Sequence, residues 1–513
     1  MPLPKDPTSR LFARSLDEIT DLYIEPITTR QLVLAGTARL AALDDKLTIS
    51  ESPATHDRMG FAVNYAGRTV ATPSLPGAPD SQDWGILVGN LIAAAKQASP
   101  KVAAMPQEAI DKAVFDGITG LLDRFSRYST PEIAREQRAA RDGFGGIGVT
   151  LDGADGFKVT AVTAQGPADR AGIRPDDRVV AIDGRPTAGL TQSEVIRQLR
   201  GPIASSLTVT IQRPGGPQPR QVQLRRALVV VPTVAVSRTG NVPTFRIAGF
   251  NQSTTKNLAA ALTDMQRQAG GRLDGIILDL RSNPGGLLDQ AVSLADLFIH
   301  DGPIVSTVGR HPASKQYFGA SGDGIAPRLP IAVLINGGSA SASEIVAAAL
   351  QDVGRAVVIG TSSYGKGTVQ TVLRLPNEGE LTLTWARLVA PSGYLLQTHG
   401  VIPTVCTGDL IDNDTALQTA MQRAGGTAPG ALSAPRARAA LDERGWQALR
   451  NACPARPTSP ALDVKLAERL LSDPRLYSAA LEATHPGTRP AIAATEPFLT
   501  GVDGALSSRT RVP

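Results

Sequence analysis

Two residues whose types and setting allow chemistry stand out in the stretch 330–370: Ser341 and Lys366. The run PIAVLI (330–335) is apolar throughout, as expected of a strand buried on both faces. A short break follows, and SASASEIVAAALQD (339–352) then carries Ile345, Val346, Ala349 and Leu350 on one helical stripe. Ser341 therefore falls at the start of a helix. Free backbone N–H groups and the positive dipole end lie there, and both stabilise a developing oxyanion. Such donors are worth about 3–4 kcal/mol each in acyl transfer. A serine nucleophile also needs a base. The chain has five histidines, none in a Ser-His-Asp pattern. Lys366 can serve once neutral, which requires its pKa to fall from about 10.4 toward about 7–8. Burial shifts lysines by up to roughly 3–5 units, so that value is reachable. Gly365 and Gly367 let the backbone pack closely around it and favour a dry site.

Each residue also has a plain reading. Ser341-Ala-Ser-Glu344 is a capping box, Ser339 and Ser343 are equally eligible hydroxyls, and a lysine on a glycine loop is commonly a solvated charge. Gly360-Thr-Ser-Ser-Tyr-Gly365-Lys366 matches all but the last position of the phosphate-binding loop. That last position must be Ser or Thr to hold Mg²⁺, and here it is Gly367.

Taken together, SASASEIVAAALQD and YGKGTVQ resemble the carboxyl-terminal processing peptidases, the tail-specific Ser/Lys endopeptidases. The resemblance implies that Ser341 is the nucleophile, Lys366 the general base and Gln370 the residue that orients the lysine. A neutral amide at Gln370 suits that role, because it does not raise the lysine's pKa. LDGIILDL (273–280) reads as another buried strand, and it runs into Asp279-Leu-Arg281-Ser-Asn283-Pro-Gly285-Gly286. That segment is similar to the family's DLRxNPGG and implies that Gly285 or Gly286 donates to the oxyanion, with the N–H of Ala342 beside it. The family's chemistry needs no metal or cofactor.

A second signal lies in residues 142–227. GFGGIGVTL precedes VTAVTAQGPADRAGIRPDDRVVAIDGRP, with an Asp183-Gly184 hairpin turn, a capping box opening a helix at Thr191, and alternating strands after it. This resembles a PDZ domain. Its glycine segment, Gly145, Gly146, Ile147 and Gly148, is expected to be a loop whose N–H groups hold a terminal carboxylate. The peptide would add as a strand beside 147–151, over an apolar pocket lined by Ile147, Val149, Ile196 and Leu199.

The elements around these sites suggest a multidomain α+β chain. An N-terminal helical region (1–140) has helices in 11–45 and 107–123, with 46–106 reading as an insertion of short β-like runs and a Pro/Gly/Ser loop. A PDZ β-domain (141–228) follows, then a crotonase-like α/β catalytic core (229–425). A C-terminal extension (426–513) begins with a Gly/Ala/Pro linker, ends in a flexible tail at 485–513, and has little to say about function. LAGTARLAALDD (34–45) and FDGITGLLDRFS (115–126) are faintly similar. The family's LDPHSRY appears as Leu122-Asp-Arg-Phe-Ser-Arg-Tyr128, with Arg124 and Phe125 replacing the usual Pro-His.

Composition narrows the partners. The chain has 513 residues, 42% of them hydrophobic, and a net charge of +5 without a long basic run, so nucleic acid is not indicated. No apolar stretch is long enough to span a membrane. The resemblance implies protein or peptide substrates with a free C-terminus, a homodimer formed through the N-terminal helices, and an adaptor protein as a further partner. It also implies the periplasm or cell envelope. The N-terminus, MPLPKDPTSRLFARSLDEI, has no apolar signal core, which leaves the cytoplasm open. Cys406 and Cys453 allow one bridge in an oxidising compartment or two separate buried thiols. The competing reading is a PDZ-containing scaffold with an inactive peptidase-like core.

Overall fold

The structure, a computed structural model, describes residues 4–55, 58–216, 218–326, 328–413, 415–426, 441–456 and 459–484. The expected linker at 425–433 lies outside these residues from 427 onward, and the expected tail at 485–513 lies outside them altogether.

The catalytic core is built on a six-stranded sheet in the order Val234–Thr239, Val242–Ile247, Ile276–Asp279, Ile331–Ile335, Val357–Gly360, Val405–Cys406. Only the first pair is antiparallel. The apolar runs seen in the sequence are its central strands, and alternate residues serve opposite faces. Ile331, Val333 and Ile335 pack with Ile345, Val346 and Leu350 of the helix Ala342–Asp352. Ala332 and Leu334 face the other way, onto Ala467, Leu470, Tyr477 and Leu481. Those last residues belong to the helices Pro460–Leu471 and Pro474–Thr484. The C-terminal extension thus packs on one face of this sheet, beside Ala420 of the helix Ala416–Gly426.

A second sheet runs Gln316–Gly319, Pro303–Val308, Glu380–Val389, Thr368–Arg374. The short strand Arg127–Ser129 pairs with Glu380–Val389, placing Tyr128 opposite Leu381. The N-terminal region is stitched into the core at this point, and Leu375, Leu381 and Leu383 join its hydrophobic cluster.

That region holds the helices Pro7–Leu22, Thr29–Ala41 and Gln107–Gly120. The faint internal echo has a physical basis, because its two helices cross on glycines. A Cβ on Gly117 would sit 2.3 Å from the Ala35 carbonyl, and one on Gly36 would sit 3.0 Å from Val114. The supposed insertion is more than β-like runs. It folds as a small sheet (Leu47–Thr55, Arg58–Tyr65, Arg68–Ala71, Ser74–Leu75) and then the long helix Ser81–Ala98, which packs on Pro7–Leu22. Gly85 and Gly89 weaken the helical signal of SQDWGILVGNLIAAAKQA, since glycine disfavours a helix interior. Both face Pro7–Leu22, where a Cβ on Gly85 would lie 2.5 Å from that of Ala13.

The PDZ sheet runs Arg220–Arg225, Ser206–Gln212, Arg178–Ile182, Lys158–Val162, Val149–Asp152. Val149–Asp152 is an edge strand, and the helix Gln192–Leu199 reaches it through Gln192, whose Nε2 donates to the Leu151 carbonyl at 2.8 Å.

Candidate active site

Ser341 caps the helix Ala342–Asp352 with φ 57° and ψ −115°, a conformation that L side chains rarely adopt. Strain of this kind persists only where surrounding bonds over-determine it, and it clusters at functional sites. Here the bonds are explicit. The Ser341 carbonyl accepts the N–H groups of Glu344 and Ile345 at 2.8 and 3.0 Å, and its own N–H donates to Glu344 Oε2 at 2.7 Å. The rival serines are committed elsewhere. Ser339 Oγ donates to the Leu280 carbonyl and Ser343 Oγ to the Asn283 carbonyl, both side chains fully buried. Ser341 stays partly exposed.

Lys366 lies on the loop between Val357–Gly360 and Thr368–Arg374. The same Glu344 side chain organises this loop. Oε2 also accepts the Lys366 N–H at 2.9 Å, while Oε1 accepts the Gly365 N–H at 2.6 Å and Ser363 Oγ at 2.5 Å. Glu344 is fully buried, and burial pushes its carboxyl above the ordinary range although all these donors pull it down. A phosphate cannot use N–H groups that an internal carboxylate already fills, so the nucleotide-loop reading falls. The glycines act as expected, since a Cβ on Gly367 would lie 1.9 Å from the Gln397 nitrogen.

Burial, foremost, and then the charge of Arg127 push the Lys366 amine below the usual lysine range, while Glu344 and Asp123 pull it back. Its Nζ lies 5.1 Å from the centre of the Phe125 ring. No hydrogen bond joins the amine to Ser341 or to Gln370. Gln370 instead donates through Nε2 to Thr368 Oγ1 and Thr384 Oγ1 at 2.9 and 3.2 Å.

The glycine turn closes the site. A Cβ on Gly285 would come within 2.8 Å of the Ser341 Cβ and 2.9 Å of the Ala342 nitrogen. The Gly285 N–H, however, donates to Asn283 Oδ1 at 2.9 Å. Arg281 holds the turn from behind, bonding both oxygens of Asp279 at 2.8 Å and Asp463 Oδ2 at 3.0 Å.

The C-terminal helix Glu443–Ala452 braces the lysine loop. Arg450 donates to the carbonyls of His399 and Ser363 at 2.6 and 3.2 Å, and Ser362 Oγ donates to the Cys453 carbonyl at 2.5 Å. Cys453 is bonded to Cys406, which resolves the open question of the two cysteines in favour of a bridge. Glu344, Arg450, Cys453 and Asp463 were not foreseen as site residues. Only Glu344 had a visible signal, the capping box.

In the PDZ domain the four-residue glycine loop is corrected. Gly145 and Gly146 form a strand, Phe144–Gly146, that pairs with Ala227–Val229. Ile147 and Leu199 are buried in the domain core, while Val149 on the edge strand and Ile196 on the helix Gln192–Leu199 are half-buried.

Known proteins resemble the chain in two of its regions. Residues 241–407 match peptidase family S41, and residues 158–213 match a PDZ domain. A carboxy-terminal-processing protease of Bartonella bacilliformis is 41% identical over 302 residues, 58% of this chain and 69% of that protein. A probable CtpA-like serine protease of Staphylococcus aureus is 34% identical over 303 residues, 58% of this chain and 60% of that protein. Among solved structures, the photosystem II D1 C-terminal processing protease aligns at 25% identity and a TM-score of 0.40, covering 78% of this chain and 92% of that one. The chain belongs to peptidase family S41, as a PDZ-containing serine peptidase of the carboxy-terminal-processing kind.

Proposed function

We propose that the protein cleaves polypeptides with Ser341 as nucleophile and Lys366 as general base, and that its PDZ domain captures substrates by their free C-termini. The observation that carries the reading is the single buried Glu344 carboxylate, which fixes the backbone of both residues through one oxygen. Neutral Lys366 takes the proton from Ser341 Oγ as the oxygen attacks the peptide carbonyl. The oxyanion forms against the Ala342 N–H and the Gly286 N–H, the Gly285 N–H being occupied by Asn283. Protonated Lys366 then gives its proton to the leaving amine, and water, deprotonated by the lysine in turn, hydrolyses the acyl-enzyme. Gln370 orients the lysine through its carbonyl oxygen, because its amide hydrogens are engaged by Thr368 and Thr384.

Capture rests on the edge strand Val149–Asp152, from whose Leu151 carbonyl an arriving peptide displaces Gln192, with Gly148 and Val149 rather than Gly145 and Gly146 offering N–H groups to the terminal carboxylate. The same reading includes a homodimer through the N-terminal helices and an adaptor protein. It also includes an oxidising compartment such as the periplasm or cell envelope, which the Cys406–Cys453 bridge supports.

The test uses an unstructured protein with an apolar C-terminus. Ser341→Ala and Lys366→Ala are each expected to end cleavage, while Ser343→Ala keeps most of it. Turnover surviving in Lys366→Ala would remove the mechanism.

A further inference from the structure

Phe125 does not belong to the catalytic core. It follows the helix Gln107–Gly120 in the N-terminal region, yet its ring lies 5.1 Å from Lys366 Nζ. The backbone that carries the ring is fixed by hydrogen bonds. Asp123 Oδ1 accepts the Phe125 N–H at 2.8 Å and Thr384 Oγ1 at 3.0 Å, and Thr384 Oγ1 in turn accepts from Gln370. Ser126 Oγ donates to Asp123 Oδ2 and accepts the Thr384 N–H. The Arg124 guanidinium also lies over the Phe125 ring, at 4.7 Å, and over the Tyr364 ring at 5.7 Å. One short loop therefore places an apolar ring on the amine and ties into the amide assigned to orient it. This is the segment in which Phe125 stands where the resembling motif carries a histidine.

We infer that Phe125 is a positioning residue for the general base: supplied by the N-terminal region, it roofs Lys366 and keeps water from the amine so that the neutral form persists. The inference rests on Lys366 being the base. Two effects of the ring oppose each other. Its face attracts an ammonium, which favours the charged form. Its bulk removes water, which disfavours the charged form, and full burial moves a lysine by up to roughly 3–5 units. Dehydration is the larger effect, in keeping with burial being the leading cause of the lysine's lowered pKa. The charged groups facing the amine are Arg127, Asp123 and Glu344, and Arg124 lies on the same Phe125 ring. Arg127 is exposed, so solvent screens its share.

The test is the pH dependence of kcat/KM on an unstructured protein substrate, using the full chain. Phe125→Ala is expected to move the rising limb to higher pH by about one unit, roughly a tenfold loss below the limb with recovery above it. Phe125→Gln, which fills the space with a polar group, is expected to move it the same way. Phe125→Leu, an apolar roof without a ring, is expected to leave it in place. If the Ala and Gln variants melt like the parent and their limbs do not move, the roof does nothing to the base and the inference fails, even with Lys366→Ala inactive. A limb displaced equally in Phe125→Leu also overturns it. Cleavage by Lys366→Ala would instead sink the underlying reading.

Discussion

The Glu344 carboxylate accepts the backbone N–H of Lys366 at 2.9 Å. The same oxygen takes the Ser341 N–H at 2.7 Å, so two loops that are distant in sequence share one anchor. Glu344→Gln replaces one oxygen by an NH₂ that faces N–H donors. Each buried donor left without a partner costs about 1–3 kcal/mol. A displacement of about 1 Å at a reacting group lowers rate by roughly 100-fold. The expected outcome is a lower melting temperature and a kcat reduced by about that factor, with peptide binding to the PDZ domain unchanged. Melting curves and steady-state kinetics check it, and a variant with parental kcat would show that the anchor is dispensable.

The pH profile follows from the direction of the Lys366 shift. The lysine works uncharged, so kcat/KM rises as pH rises through its pKa, which burial and Arg127 set below the usual lysine value. Arg127→Met removes a positive charge that disfavours the ammonium, so the rising limb should move to higher pH. Screening at this exposed side chain keeps the displacement under about one unit, and added salt should shrink the difference between variant and parent. A limb that moves to lower pH in Arg127→Met would contradict the sign.

Substrate capture predicts a dependence on the terminal carboxylate. Amidating the substrate's C-terminus should raise KM and leave the cleavage chemistry intact, because Val149–Asp152 belongs to a different sheet from the strands that flank Ser341 and Lys366. Kinetics on matched acid and amide substrates measure the effect, and equal turnover would remove the capture role.

The legible parts of the site were those in which chemistry and local pattern coincide. The runs 330–335 and 273–280 hold the central strands Ile331–Ile335 and Ile276–Asp279, and the unbroken apolar stretches Ile331–Ile335 and Ile276–Leu278 made both legible. Ser341 was legible because it opens a helix inside a capping box, and Lys366 because it stands between two glycines. What stayed hidden depends on long-range contact. Ser81–Ala98 was concealed by glycines that serve a neighbouring helix. Asp463 looks like any acidic residue on an amphipathic helix until Arg281 is found beside it. Gly145 and Gly146 read as a loop because glycine weakens a strand signal, and only the arrival of Ala227–Val229 pairs them.

The Cys406–Cys453 bridge gives the last prediction. It closes a separation of 47 residues and ties the helix Glu443–Ala452 to the sheet, at a point where Cys453 and Arg450 both hold the loop before Lys366. Loop-closure entropy for that length is worth about 4 kcal/mol to the folded state. The loss should not be confined to global stability. With the bridge open, the Cys453 carbonyl and the Arg450 guanidinium are anchored only by their own contacts, so Ser362 and Ser363 gain freedom and the Lys366 backbone follows. Reduction, or Cys453→Ser, should therefore lower the melting temperature and lower kcat even well below the new melting point. Thermal melts and cleavage assays with and without reductant measure both. A reduced protein that melts earlier yet cleaves at the parental rate would confine the bridge to stability and separate the extension from the catalytic loop.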